Sequence, residues 1–421
     1  MKNKLFDIYD NYNTSRTEIT LLGIKIKLTN KKLIKMPDYS NALQKVQQKY
    51  KNNQKIRVGF YVSENAKWNA EELYNLFERS EEFEPIIVVS LLSYVHDGDD
   101  ITRNNLQENY DFFKASGKNV VKAYDEEKKE YIPLENFDLD VIFYQQPWGI
   151  PDIHNIEITK DFALTCYFRY GLFIFKAKNM NMPLFKKIKF FFISNEEEKE
   201  IYTKKGFKNL YVTGFPKLDI YKTIQRTKIE TDKKTIIYAP HFSYRKNSIL
   251  KIGTFDKTGE KILSFAKTHP EYNWIFKPHP VLRNELTHDK KYGENYIKQY
   301  YSEWDKIGKV YEKGNYFDLF INSDLMITDS SAFLLEYLPT QKPLIRLENP
   351  NSAPLTLFGK KLIENAYRIK NYDNFEVIFN KLMKENNDEL LYKRIEFTKT
   401  VTTEQGSSVE VINCILNEIK G

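Results

Sequence analysis

The chain has 421 residues, more than one ordinary hydrophobic core accommodates, so two domains are expected. Lysine and arginine together number 64, against 57 for aspartate and glutamate. This small excess does not require a nucleic-acid partner, and we expect none, although it permits attraction to anionic lipid or phosphate-rich substrates. Cys166 and Cys414 are the only cysteines. A cysteine zinc site is therefore not expected, and both are predicted to pack as small apolar residues.

The sequence contains no uninterrupted apolar run near the roughly 18 residues that a membrane span requires. Its first thirteen residues also lack the apolar core of a secretory signal. We therefore expect a cytoplasmic protein, placed peripherally on the inner face of the membrane.

Residues 1–54 are polar and rich in lysine and asparagine, with one alternating apolar segment at residues 21–28 that predicts a strand or short β arm. A loosely attached extension is the alternative. Strands are then predicted at residues 56–62, 85–92 and 141–144, with helical stretches between them. This alternation is typical of a parallel α/β sheet.

Another predicted strand ends before Arg169, Tyr170 and Gly171, and a lysine-rich stretch follows. Its lysines alternate with Phe and Leu, as on surfaces that contact anionic bilayers. A basic edge beside a buried strand is the alternative. The stretch contains no acid and five lysines, namely Lys176, Lys178, Lys186, Lys187 and Lys189.

Three later strands each end in a loop suited to anion binding or proton transfer. Residues 235–238 lead into His241, residues 274–276 into a Lys-Pro-His-Pro loop, and residues 325–328 into Asp-Ser-Ser at a predicted helix start. Ligands of open parallel sheets sit beyond the carboxyl ends of the strands, so these loops predict one phosphate-binding pocket. Ordinary helix capping by Asp and Ser is the alternative for the third loop.

These segments resemble the CDP-glycerol glycerophosphotransferases of wall teichoic acid and capsule synthesis. The resemblance covers residues 192–347 well and the first 150 residues poorly. Its motifs are Tyr238-Ala239-Pro240, Lys277-Pro278-His279-Pro280, Ile327-Thr328-Asp329-Ser330-Ser331 and, earlier, a Thr-Gly-x-Pro segment beginning at Thr213. The resemblance implies a glycosyltransferase-B-type fold: two Rossmann-like, doubly wound parallel-sheet domains facing a cleft.

The expected domains are an extension (residues 1–54), an acceptor-side domain (55–204), a donor-binding domain (205–372) and C-terminal helices that pack back on the first domain (373–421).

The loops and the resemblance together predict roles for individual residues. Catalysis is assigned to His279 and His241, which can neutralise charge on a leaving phosphate; a histidine satisfied within a turn is the alternative. Residues predicted to bind the donor nucleotide or its phosphates are Lys277, Asp329, Ser330, Ser331, Arg245, Glu336, Thr213 and Gly214. For Glu336, contact with a ribose hydroxyl and a solvated or ion-paired carboxylate are equally open. No cofactor or metal is expected.

One position departs from the family pattern. Family members of the teichoic type carry a His-Gly pair in the first domain that supplies the catalytic base, whereas this chain has Tyr170-Gly171. Tyrosine is a poor base near neutral pH because its ordinary pKa is about 10. Either another group is the base, or the transferred group differs, and Arg169 beside it is predicted to bind an anionic donor or acceptor.

The leading functional hypothesis is a transferase that moves glycerol phosphate, or a related group, from a CDP-activated donor to a surface-glycan or lipid-linked acceptor. The product would be a capsule, a teichoic-type polymer or a lipooligosaccharide. One alternative is a glycosyltransferase that uses a nucleotide sugar. The other is a non-catalytic nucleotide-binding component of a capsule assembly complex.

Overall fold

The computed structural model describes residues 6–11, 16–21, 24–29, 35–93, 106–169, 171, 174–176, 183–224, 232–248, 250–312, 315–370 and 372–421. The chain divides into two compact units, each built on a parallel β-sheet. The first unit comprises Met1–Tyr170, Asn181–Lys217 and Thr403–Gly421, and the second comprises Gly171–Met180 and Leu218–Thr402.

The first unit contains twelve strands among the described residues: β1 (Phe6–Asn11), β2 (Arg16–Leu21), β3 (Ile24–Thr29), β4 (Ile56–Val62), β5 (Phe83–Val89), β6 (Val120–Lys122), β7 (Tyr124–Asp125), β8 (Glu130–Tyr131), β9 (Val141–Tyr144), β10 (Leu164–Phe168), β11 (Phe190–Ile193) and β12 (Leu210–Val212). Its helices before the second unit are α1 (Ser40–Lys51), α2 (Glu71–Arg79), α3 (Leu106–Ala115), α4 (Ile156–Thr159) and α5 (Glu196–Lys204).

The main sheet of this unit has seven parallel strands in the order β12-β11-β10-β9-β4-β5-β6. Side chains of alternate residues in a strand point to opposite faces. In β4, Val58 and Phe60 join one apolar cluster and Tyr61 joins another. Both faces of the sheet are therefore covered, as the near-continuous apolar strands predict.

The prediction that residues 1–54 form an extension is wrong for its last part. Ala42 and Val46 of α1 are fully buried in the first unit's core, because the helix presents an apolar stripe of period three to four. Strands β1, β2 and β3 form a separate three-stranded antiparallel sheet. Residues 21–28, predicted as one strand, thus contain the end of β2 and most of β3.

The second unit has six strands among its described residues: β13 (Thr235–Ala239), β14 (Asn273–Phe276), β15 (Gly308–Val310), β16 (Leu325–Thr328), β17 (Leu344–Glu348) and β18 (Tyr367–Lys370). Its helices are α6 (Ile220–Thr223), α7 (Phe255–Thr268), α8 (Leu282–Thr287), α9 (Gly293–Ile307), α10 (Phe317–Asn322), α11 (Ser331–Tyr337), α12 (Leu357–Ile363), α13 (Phe375–Met383) and α14 (Leu391–Lys399). The six strands are parallel, in the order β15-β14-β13-β16-β17-β18.

Two predicted domain boundaries are wrong. Strand β12 pairs with β11, so the first sheet continues beyond residue 204. Helix α13 buries Phe375 and Phe379 in the second unit's core and belongs to that unit. The last helix, α15 (Ser407–Lys420), belongs to the first unit, where Val411 and Ile415 join the core.

Cys166 is buried in the first unit's core and Cys414 packs against it, so both cysteines are the small apolar residues that the sequence predicts. None of the helices that the structure describes is both long enough and apolar enough to cross a bilayer.

Candidate functional site

The three loops singled out in the sequence lie side by side in the second unit. Strands β14, β13 and β16 are neighbours and run in the same direction, so their carboxyl ends meet at one edge of the sheet. The N–H of His279 donates to the carbonyl oxygen of Pro240 at 3.0 Å. The N–H of His241 donates to Asp329 Oδ1 at 2.6 Å. Hydrogen bonds therefore join the His241 loop to each of the other two loops.

Asp329 accepts the second of these hydrogen bonds and is buried, with 2% of its surface exposed. Its Oδ2 accepts from the N–H of Thr254 at 2.6 Å and from the Thr254 hydroxyl at 2.8 Å. Burial raises the pKa of this carboxyl to about 6, although the hydrogen bonds from His241 and Thr254 act in the opposite direction. Both oxygens are thus used in positioning loops. The predicted contact of Asp329 with donor phosphate, through its main-chain N–H, stays a prediction.

The rings of His241 and His279 approach edge to face, with their centroids 4.8 Å apart. Nδ1 of His279 accepts from the N–H of Val281 at 3.2 Å, and Nδ1 of His241 accepts from the N–H of Ser243 at 3.2 Å. An accepting Nδ1 is unprotonated, so the proton of each neutral ring lies on Nε2. The two predicted catalytic residues are therefore brought together in the same tautomer.

His241 is 8% exposed. Burial lowers its pKa well below the usual value, and the neighbouring His279 lowers it further. His241 is consequently neutral at pH 7 and offers a hydrogen-bond donor at Nε2 instead of a full positive charge. Phe242 contributes to the apolar surroundings, because its ring centroid is 4.5 Å from that of His241 and 4.6 Å from that of His279.

Lys277 begins the Pro-His-Pro loop but is buried among aromatic rings. Its ammonium lies 4.8 Å from the ring centroid of Tyr316, 5.3 Å from Phe333 and 5.5 Å from Tyr311. Only 4% of its surface is exposed. The faces of three rings stabilise the positive charge. The ammonium of Lys277 thus lies next to the Pro-His-Pro loop but is surrounded by three aromatic rings.

Glu336 lies on the same side of the cluster. Its Oε2 accepts from the Tyr316 hydroxyl at 2.5 Å, and the residue is 2% exposed. This contact restrains one of the rings around Lys277 and makes Glu336 a buried, hydrogen-bonded carboxylate. Of the two alternatives from the sequence, the structure therefore favours a carboxylate partnered within the protein.

Ser330 and Ser331 stand where β16 passes into α11. The N–H of Ser330 donates to the hydroxyl of Thr328 at 2.9 Å, and Ser330 has the extended backbone of a residue that precedes a helix. Its side chain makes no capping hydrogen bond to the helix. The alternative of an ordinary side-chain cap at Ser330 is therefore not observed.

Arg245 is the clearest departure from the predicted site. Its Nη1 lies 3.3 Å from Glu285 Oε2, and its Nε lies 3.3 Å from Asp289 Oδ2. The guanidinium also donates to the main-chain carbonyl of Glu285. Two carboxylates compensate its charge, so the prediction of a phosphate clamp at Arg245 is wrong for this conformation.

The remaining predicted residues belong to the first unit. Arg169 Nε donates to Glu198 Oε1 at 3.0 Å, and its guanidinium also contacts the Tyr202 hydroxyl. This partly buried ion pair corrects the prediction that Arg169 binds an anionic substrate. Tyr170 lies outside the described residues. Thr213 is fully buried and Gly214 has φ of +82°, a conformation that favours glycine and shapes the loop after β12.

The lysine-rich stretch is not the exposed basic face that the sequence suggested. Lys187 is fully buried and its ammonium lies 2.5 Å from Glu157. Lys189 pairs with Glu418 at 2.5 Å. Lys178 lies outside the described residues. The prediction of membrane contact through Lys187 and Lys189 is therefore wrong, since acids from other elements fold against them. The alternative of a basic edge beside a buried strand fits better.

Two residues at the site were missed. Thr254, at the start of α7, provides two of the hydrogen bonds to Asp329. Arg346 lies opposite Thr328 in the pairing of β17 with β16 and is 5% exposed; its Nη1 donates to Glu348 Oε1 at 2.8 Å, and its Nε has no hydrogen-bond partner among the described residues. An arginine and a glutamate in a strand whose other three residues are apolar were the available signal for Arg346. No local pattern marks Thr254.

Part of the chain is similar in sequence to enzymes of teichoic acid synthesis. Residues 176–349 match the family model described as CDP-Glycerol:Poly(glycerophosphate) glycerophosphotransferase. The teichoic acid glycerol-phosphate primase of Bacillus subtilis is 31% identical over 164 residues, which are 36% of this chain and 38% of the primase. A teichoic acid poly(ribitol-phosphate) polymerase of Bacillus spizizenii is 24% identical over 172 residues, 36% of this chain and 25% of that protein. The chain thus matches well under half the length of these curated relatives.

Among solved structures, the wall teichoic acid polymerase TagF superposes with a TM-score of 0.52 at 16% identity, covering 90% of this chain and 94% of that one. The UDP-GlcNAc 2-epimerase of Neisseria meningitidis gives 0.53 at 11% identity, covering 86% and 100%. These likenesses confirm the predicted class, an α/β fold of two parallel-sheet domains of the glycosyltransferase-B type. The resemblance read from the motifs is also confirmed: residues 176–349, which hold His241, His279, Ser330 and Ser331, match the model of the CDP-glycerol glycerophosphotransferase family.

Proposed function

We propose that this protein transfers glycerol phosphate, or a related polyol phosphate, from a CDP-activated donor to a glycan or lipid-linked acceptor of the cell envelope. The observation that carries the proposal is the hydrogen-bonded convergence of the His241, His279 and Asp329 loops inside the family-matching segment. Teichoic-type polymers, capsules and lipooligosaccharides are the product classes it covers.

The proposed step is the attack of an acceptor hydroxyl oxygen on the phosphorus that carries the polyol. A bond forms between these atoms, the bond to the bridging oxygen breaks, CMP leaves with the electron pair, and the proton of the acceptor hydroxyl is released to water. Negative charge therefore grows on the leaving phosphate. Nε2–H of His279, with Nε2–H of His241 beside it, provides donors to that charge, and a fixed donor is most effective in a water-poor site.

The other loops have supporting roles in this proposal. The hydroxyl groups of Ser330 and Ser331 and the N–H of Ser331 bind donor phosphate oxygens. Asp329 fixes the position of the His241 loop, and the buried Lys277 adds positive potential close to the pocket. Because Asp329 carries negative charge when ionised, it serves the site by positioning other groups.

Titration of the protein with nucleotide donors tests the donor class. In calorimetry or thermal shift, CDP-glycerol or CDP-ribitol is expected to stabilise the protein, whereas UDP-N-acetylglucosamine and a GDP-sugar are not. Stabilisation by a uridine or guanosine sugar alone would favour the nucleotide-sugar glycosyltransferase instead. A protein that binds CDP-glycerol but never releases CMP, with any acceptor preparation, would instead be the non-catalytic component.

The proposed chemistry assigns charge stabilisation to protein groups, so activity is expected to persist after dialysis against EDTA. Complete loss that magnesium restores would contradict this assignment. The acceptor of a surface glycan is often lipid-linked, which motivates the proposal that the enzyme works at the inner face of the membrane. The lysine-rich stretch at residues 176–189 no longer supports that location, because Lys187 and Lys189 are paired with acids.

A further inference from the structure

The small antiparallel sheet β1-β2-β3 carries an exposed apolar surface. Ile24, Ile26 and Leu28 of β3 are 68%, 47% and 52% exposed, and Leu21 of β2 is 48% exposed. Isolated exposed apolar side chains are ordinary, but four on one small sheet form a contiguous patch. We refer to these four residues as the apolar face.

The strand register places these side chains together. Residues two apart in a strand share a face, so Ile24, Ile26 and Leu28 point the same way. Leu21 is directly opposite Ile24 in the pairing of β2 with β3, and Ile19 is opposite Ile26. Residues that are directly opposite in an antiparallel pair also share a face. The apolar face thus lies on one side of β2 and β3.

The other side of β3 is basic. Lys25 and Lys27 alternate with the apolar residues and are exposed, and Lys27 pairs with Glu18 across the strands at 3.1 Å. In the sequence, residues 1–35, which include all three strands, contain eight lysines and arginines and three acids, a net charge of +5 within a chain of net +7. Most of the chain's excess positive charge therefore lies in this N-terminal segment, although the strands themselves carry three basic and three acidic residues.

We propose that the apolar face of the β1-β2-β3 sheet is a docking surface for an anionic lipid bilayer. A sheet lying flat on a bilayer would bury Ile24, Ile26 and Leu28 at the boundary of the acyl chains. Lys25 and Lys27, on the opposite side of the sheet, would then lie at the depth of the lipid phosphates. A bilayer surface matches both the apolar side of the sheet and the positive charge of the N-terminal segment that contains it.

A second copy of the chain is the competing occupant. Stacking two apolar faces would bury the same side chains, but it would bring two segments of net positive charge together and supply no counter-charge. Charge complementarity therefore favours lipid. This surface lies within β2 and β3 and requires no nucleotide, so the inference does not depend on the proposed transferase activity.

Co-sedimentation of the full chain with vesicles tests the proposal. We expect binding to vesicles of equal parts phosphatidylglycerol and phosphatidylcholine, weakened by added salt, and much weaker binding to phosphatidylcholine alone. A triple variant, Ile24→Thr with Ile26→Thr and Leu28→Thr, should bind at least about ten-fold more weakly, because threonine keeps strand propensity but removes the apolar contact. Lys25→Glu should weaken binding by about twenty-fold.

Matched controls lie in the second unit. Val377→Gln with Tyr392→Gln removes two side chains that are 67% and 74% exposed, and Lys360→Glu reverses an exposed charge. Neither should change vesicle binding. Equal binding to neutral vesicles, or equal losses in the controls, would overturn the proposal. Absence of vesicle binding would also overturn it. If analytical ultracentrifugation then shows a dimer that the triple variant abolishes, the occupant is a second copy.

Discussion

The polar residues at the carboxyl ends of the two parallel sheets have different partners. In the first unit, Arg169 follows β10, and its guanidinium is held by the carboxylate of Glu198, which also accepts from the N–H of Ser194 at 3.2 Å. In the second unit, His241 and His279 follow β13 and β14, and their rings lie against each other. The acid beside them, Asp329, receives hydrogen bonds from main-chain N–H groups instead of from the rings.

This difference separates a structural ion pair from a candidate site. A charged residue at a strand end that folding pairs with a buried acid, as at Arg169, indicates a structural role more than a binding role. The sequence alone does not separate Arg169 from the two histidines, because Glu198, the acid that pairs with Arg169, lies 29 residues away. Variants at the two sheet edges test this difference.

The largest effect is expected from Glu198→Ala. The side chains of Arg169 and Glu198 are 13% and 2% exposed, so the variant leaves a largely buried guanidinium without its acid. Loss of one partner of a buried pair costs roughly 3–5 kcal/mol, which should appear as a lower urea midpoint for the first unit. Glu200→Ala on the same helix is the control, since its pair with Lys204 is exposed, and no resolvable change is expected. An unchanged midpoint for Glu198→Ala would remove the contrast between the two edges.

The second prediction concerns His279→Ala. Turnover with a CDP-activated donor is expected to fall by about 10²–10³-fold, while donor affinity changes little, because a donor aimed at developing charge acts mainly in the transition state. His288→Ala is a matched control, since His288 is exposed on the same unit and its ring contacts only its own helix turn at Asn284. Steady-state kinetics with both variants would show the difference, and full activity in His279→Ala would place the reaction elsewhere.

The sequence predicted the strands more accurately than it predicted the partners of the polar residues at the strand ends. Apolar runs of four to seven residues marked β4, β9, β13 and β16 closely, because buried parallel strands are apolar on both faces. Chain order and motif spacing then placed His241, His279 and Asp329 at adjacent strand ends. These features depend on local composition and on the geometry of parallel sheets.

The ion pairs could not be read from the sequence in the same way. Arg245 pairs with acids of a separate helical segment, and Lys189 pairs with Glu418, 229 positions away. Such partners are set by tertiary packing that leaves no local pattern. The same reason explains why Thr254, 75 positions from Asp329, was missed. Sequence reasoning therefore found the loops but misassigned several of their charges.

The third prediction uses the raised pKa of Asp329. Since its folded pKa is about 6 and its ordinary value is 3.8, the folded protein binds more protons than the unfolded chain between these values. The contribution of Asp329 to stability therefore falls as the pH rises through this window and stays low above about pH 6. The shift of about two units limits this pH-dependent loss to about 3 kcal/mol.

Asp329→Asn tests this coupling because an amide does not titrate. Measured by urea unfolding, the stability of the wild type relative to the variant should decline from about pH 4 to about pH 7. Burial lowers the pKa of His241, which favours unfolding in acid, but both proteins retain that residue and its effect cancels. Parallel pH profiles for the two proteins would show that Asp329 does not titrate in this window.

The smallest effect is expected from Ser330→Ala combined with Ser331→Ala. Ser330 is 5% exposed and makes no side-chain cap to its own helix, so its removal should leave the fold intact. Loss of hydroxyl donors to a charged phosphate oxygen should weaken donor binding by roughly 1.5–3 kcal/mol, measured by calorimetry with CDP-glycerol. Ser264→Ala, on an exposed position of α7, is the control. If the double variant binds the donor normally while His279→Ala lacks turnover, the histidines belong to the site but the phosphate does not rest on this loop.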